Sequence, residues 1–138
     1  MKHSWKRNGK EKGQSLTEMA LVLPVILVIL AGVVDLGRLY YVTVALTDAA
    51  GEGATYAAID PSNTDEIIAR TQASTGGLVQ VGTEQVTVDC PSVTAGSTVT
   101  VSVSYDFTVA TPLVNLLVPD GVVTLQGVAS EIILTGGM

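Results

Sequence analysis

Residues 19–34 (MALVLPVILVILAGVV) form an uncharged apolar run of sixteen, and no other feature limits the fold so strongly. Extended back to Gln14, the polar entry of the run, the segment to Val34 has 21 residues. As helix at about 1.5 Å per residue it is roughly 31 Å long, close to one hydrocarbon core of ~30 Å. Pro24 would break a soluble helix but is tolerated in a membrane helix, where it predicts a modest kink. A cleaved secretory signal fits less well. The run is long for such a segment, and Gly32-Val33-Val34-Asp35 is a poor cleavage junction.

Charge orients the segment. Lys2, Lys6, Arg7, Lys10 and Lys12 precede the run with Glu11 as the only acid among them, whereas Arg70 is the one cation after Leu39, against ten acids. The net charge of −6 is therefore a balance between two unlike parts. Because Lys and Arg are retained on the cytoplasmic side, residues 1–13 are expected inside and everything beyond about Arg38 outside. A basic patch is also the footprint of nucleic-acid binding, but this one abuts an apolar run, which favours a lipid bilayer as its partner and no nucleic acid. The domains expected are a leader (1–13), a transmembrane helix (14–34) and an extracytoplasmic part (35–138).

The helix is expected to continue past the run, through residues 35–59. Ala45, Ala49, Gly53 and Ala57 make one row at helical spacing, and Ala50, Ala54 and Ala58 the row beside it. Such a smooth face admits a sheet or a second helix at short range. Gly37, Gly51 and Gly53 each cost about 1 kcal/mol relative to Ala, so what packs on this helix must stabilise it. Asp60-Pro61 is expected to end it. Asn63 followed by Glu66 marks the start of a short second helix that ends near Ser74, before Gly76-Gly77.

Beyond residue 80 the period becomes two. Residues 84–90 place Val86 and Val88 on one face. Residues 97–109 alternate Val99, Val101, Val103, Tyr105, Phe107 and Val109 with polar neighbours, the pattern of an antiparallel strand covered on one side. Ala95-Gly96 supplies the turn between them. Residues 122–134 form a third, less regular strand, with a break expected at Gly127. Between the second and third strands, residues 111–119 (TPLVNLLVP) are unusually apolar for a loop. They are either a short helix folded over the sheet or an exposed patch for a partner or lipid. The fold class is α+β: a long N-terminal helix packed on a small three-stranded antiparallel sheet.

Chemistry is sparse. Past residue 39 there is no His and no Lys, and the carboxylates lack metal-binding spacing. Neither a G-x-S-x-G elbow nor a phosphate-cradling Gly-Lys motif occurs. No catalytic residue, metal or cofactor is expected, and an enzyme is not the reading adopted. Cys90 permits an intermolecular disulfide or is simply a small half-buried residue beside Pro91. Asp35 and Arg38, at i and i+3, either pair or mark the point where the helix leaves the bilayer. Glu52 is either a solvated helix residue or a subunit contact.

Glu18 is the only charge between Gln14 and Val34. A charge within a membrane helix costs up to about 3 kcal/mol. It either sits among the headgroups or finds a partner. If the chain is cut after Gly13, the new α-amine of Gln14 can pair with this carboxylate on a neighbouring subunit. A Gly, four residues and then Glu at the head of an apolar helix resembles the prepilin-peptidase recognition pattern of type IV pilin-like proteins. The longer string, Gly13-Gln14-Ser15-Leu16-Thr17-Glu18-Met19 through Pro24, then Gly32 to Arg38 and Ala45 to Ala58, resembles the TadE-like family of the tight-adherence (Tad, or Flp) pilus system, and the resemblance extends more weakly to Val99–Val109 and Thr111–Leu117. Met19 stands where that family often has an aromatic residue, and Gly51-Glu52-Gly53-Ala54-Thr55 lacks two arginines common there.

The resemblance implies a pseudopilin or minor pilin, with the leader removed on the cytoplasmic face. It also implies as partners a prepilin peptidase, other pilins or pseudopilins, and Tad inner-membrane assembly proteins. The expected location is the cytoplasmic membrane, single-pass, with possible incorporation into an extracellular pilus. The alternative is a membrane-anchored extracytoplasmic binding module that is not assembled into a filament.

Overall fold

The structure is a computed structural model that describes residues 9–77, 79–111 and 119–135. One helix, α1 (Gly9–Ala57), runs unbroken for 49 residues, about 72 Å at 1.5 Å per residue. It passes Pro24 without interruption and carries the 14–34 segment and the small-residue face as one element. It ends three residues before Asp60, closing with a turn in which Ala58 N–H donates to Ala54 O at 2.9 Å. A second helix, α2 (Thr64–Ser74), follows. Asn63 Oδ1 accepts the Glu66 N–H at 3.3 Å, so the cap lies where the sequence places it.

The sheet is a meander of β1 (Val86–Asp89), β2 (Thr98–Thr108) and β3 (Val122–Ile132), in the order β1-β2-β3 and antiparallel throughout. β1 is shorter than residues 84–90, because Thr83–Gln85 close into a 3-10 turn before it. Gly96, at φ 89°, serves the turn into β2. The expected break at Gly127 is not there: β3 pairs continuously with β2 from Val122 to Ile132, with Gly127 opposite Val103. The glycine serves close packing instead, as the site geometry shows. Residues 112–118, most of the apolar connection, lie outside the described residues, as do the leader residues 1–8.

One core joins the layers. Leu46, Ala50, Ala54 and Ala57 of α1 and Ile67 of α2 pack with Val99, Val101, Val103 and Phe107 of β2 and Leu125 of β3. The alternation of β2 puts its valines wholly inside, while Thr98, Asp106 and Thr108 face out. An α+β fold with a long helix laid across a three-stranded sheet is therefore the architecture of the chain.

Candidate functional site

The apolar half of α1 has no core of its own. Leu21 is 72% exposed and Leu27 55%, and Met19 and Val34 are likewise bare, so these residues need a surrounding the chain does not supply. Among the described residues this helix alone is long and apolar enough to cross a membrane.

At its head, Gly13, Gln14 and Glu18 are all exposed and helical. Gln14 Nε2 donates to Glu18 Oε1 at 3.2 Å, and the Thr17 hydroxyl donates to the Gly13 carbonyl at 3.0 Å. A Cβ at Gly13 would meet no atom within 4 Å. Gln14 thus begins one helical turn before Glu18, and nothing from the domain covers the Gly13–Gln14 peptide.

The outer half of α1 is clamped to the domain at three levels. At the lowest, Asp35 is buried, 7% exposed, and its Oδ2 accepts the Thr111 N–H at 2.8 Å together with the Thr111 hydroxyl. The Thr111 hydroxyl, the Thr111 and Ala110 amides and the nearby Arg38 charge hold this carboxyl below the usual range, outweighing the opposing effect of burial. Arg38 Nη1 stands 3.5 Å from Asp35 Oδ1, so the two do pair, but Asp35's closer partner is Thr111. Nothing local in the sequence announces a bond between positions 76 apart; the buried charge at the end of an apolar run was its only trace.

At the middle level β3 crosses the helix at Gly127. A Cβ there would run into the backbone of Leu46 and Thr47, so only glycine lets strand and helix meet this closely. Gly53 plays the same part toward α2, where a Cβ would run into the Thr71 hydroxyl. At the top, Leu134 N–H donates to Ala58 O at 2.8 Å and the Thr135 hydroxyl donates to Ile59 O.

The small-residue rows fall on this seam. Ala49, Gly53 and Ala57 are buried, as are Ala50, Ala54 and Ala58, whereas Ala45 is half-buried at the edge. What covers them is the chain's own sheet and α2. Glu52 and Thr55 are exposed, and Gly51 is half-buried with open space where a Cβ would lie. Cys90 is half-buried, its thiol 3.4 Å from Ser92 O. Among the described residues, no group of three His, Cys, Asp or Glu side chains is placed to hold a metal ion.

No curated protein and no solved structure matches the chain. The family described as TadE-like protein matches residues 13–55, a stretch that begins at the exposed Gly13 and takes in most of α1. That match and the bare apolar helix fit a membrane-anchored protein related to the Tad pilus. Over residues 13–55, just under a third of its length, the chain is similar to the TadE-like family.

Proposed function

We propose that the protein is a pseudopilin or minor pilin of a Tad-type pilus, cut by a prepilin peptidase after Gly13 and anchored by residues 14–34. The observation that carries this reading is the spacing from Gly13 to Glu18 at the head of a helix whose apolar surface is uncovered. Cleavage would free the α-amine of Gln14 one turn before Glu18. In a low-dielectric surrounding, the amine of one subunit and the Glu18 carboxylate of the next attract far more strongly than in water. The basic leader keeps the Gly13–Gln14 bond on the cytoplasmic face, where the peptidase acts, and the acidic α+β domain stands outside.

In this role the protein is a substrate of the peptidase and a component of the assembly, with no catalytic duty of its own. Its partners are other pilins or pseudopilins and the inner-membrane proteins that build the pilus. Intact mass and N-terminal sequencing of the membrane-fraction protein test the cut: a chain beginning at Gln14 is expected. A membrane-bound chain that still begins at Met1 or Lys2 would overturn it. Co-sedimentation with sheared filaments tests assembly.

A further inference from the structure

Where α1 leaves its bare segment, a groove runs between the helix and the end of β2. Among the described residues, Leu27, Leu30, Ala31 and Val34 line its apolar length, and Asp35, Arg38 and Thr111 close its upper end. Arg38 is the only cation between Gly13 and Arg70, and its side chain is 55% exposed. Its acidic neighbour is already engaged, since Asp35 Oδ2 accepts both Thr111 donors and only Oδ1 faces the guanidinium, at 3.5 Å. Among the described residues Arg38 donates no hydrogen bond; it lies over the Phe107 ring, 5.3 Å from its centre, which holds the guanidinium beside the groove.

If Gln14 marks one boundary of a ~30 Å hydrocarbon core, Val34 marks the other, and Arg38 stands about 6 Å beyond it, within the headgroup layer. The groove is therefore apolar at acyl-chain depth and at phosphate depth presents the Arg38 guanidinium beside an Asp35 carboxylate already bound to Thr111. An arginine fork matches a phosphate geometrically, and a desolvated phosphate gains most from it.

We infer that this groove binds one phospholipid, its acyl chain along Leu27, Leu30 and Val34 and its phosphate on Arg38. The inference rests on the membrane-anchoring part of the proposed function, but on neither cleavage nor filament assembly. The lipid covers apolar helix surface beside the domain and occupies the donors that Asp35 leaves unused.

Native mass spectrometry of the full chain, purified from membranes in a phosphate-free maltoside detergent, reads the site directly. The probes are dioleoyl phosphatidylglycerol, dioleoylglycerol and inorganic phosphate. Retention of one phosphatidylglycerol per chain is expected, with neither of the other two retained to the same extent. Arg38→Gln should weaken retention about tenfold, the worth of one charge-assisted contact. Arg38→Lys should keep part of it, and Arg70→Gln, far from the groove, all of it. Ala31→Trp fills the groove and should displace the lipid while leaving Arg38 in place.

Equal retention by Arg38→Gln and the unchanged chain would overturn the inference. So would dioleoylglycerol bound as well as the phospholipid, or inorganic phosphate bound alone. Failure of the anchoring reading looks different, because the protein would then be missing from the membrane fraction before any lipid is added.

Discussion

Asp35 Oδ2 accepts both the backbone N–H and the hydroxyl of Thr111, so one carboxylate on α1 holds the exit of β2 against the helix. Thr111→Val removes one donor and Asp35→Ala the common acceptor. Both should lower the thermal unfolding midpoint in detergent, the second by several degrees more. Because the two share one interaction, the double variant should lose less than the sum; additive losses would show that the pair does not act as a clamp.

The same carboxyl gives a pH signature. Its folded-state pKa is depressed, chiefly by the Thr111 hydroxyl, so its contribution is complete above the unfolded carboxyl value. That contribution is lost as pH falls through the folded-state value, since the unfolded chain then takes up the proton more readily. Acidification below about pH 5 should destabilise the unchanged protein more than Asp35→Asn. Parallel curves for the two would remove Asp35 from the account.

Three glycines on or against α1 should respond differently to alanine. Gly51 faces open space, so Gly51→Ala should stabilise by about 0.5–1 kcal/mol through helix propensity alone. Gly53→Ala drives a methyl into Thr71, whose hydroxyl is bound to Ile67 O at 2.8 Å, and should cost about 1–3 kcal/mol net. Gly127→Ala meets backbone, which cannot rotate away, and should cost at least as much. Denaturant midpoints in one detergent would rank the three, and an inverted order of Gly51 and Gly127 would contradict the seam.

Glu18 is exposed at the head of the helix and, among the described residues, its side chain hydrogen-bonds Gln14 alone. Glu18→Ala should leave membrane insertion intact, because it makes the segment more apolar, yet sharply reduce recovery in sheared pili. Unchanged incorporation would count against the role of Glu18 as a subunit contact.

Asn63→Ala removes the acceptor for the Glu66 N–H and should cost about 1 kcal/mol in chemical unfolding. Asn63→Asp should restore most of it. A neutral Asn63→Ala would mean that packing of Ile67 alone fixes the start of α2.

Periodic features were legible from residues alone. The alternation from Val99 to Val109 specified β2 and its buried face, and the alanine rows located the face of α1 that the sheet covers. Asn63 and Glu66 placed α2 because a cap is a local signal three residues long. Contacts between distant positions were hidden. Nothing near Thr111 points to Asp35, and Gly127 looked like a defect in its strand because the helix that requires it lies some eighty positions earlier. The Gly13–Glu18 spacing is a property of the sequence itself, to which the fold adds that both residues are helical and exposed.

The continuity of α1 has a mechanical consequence. Within residues 14–34 the backbone is helical throughout, and apart from the Ala20 carbonyl, whose donor four residues on would be Pro24, its groups past the first turn pair inside the helix, so this stem needs no backbone partner from its surroundings to stay folded. The clamps from Asp35 to Thr135 all lie on the other side of that boundary. A pull along the stem is therefore delivered to the sheet as a rigid rod delivers it, at the Asp35–Thr111 joint first. Should the stem be drawn out of a membrane, as the proposed function requires, the domain is expected to move with it as one body, without unfolding to follow its anchor.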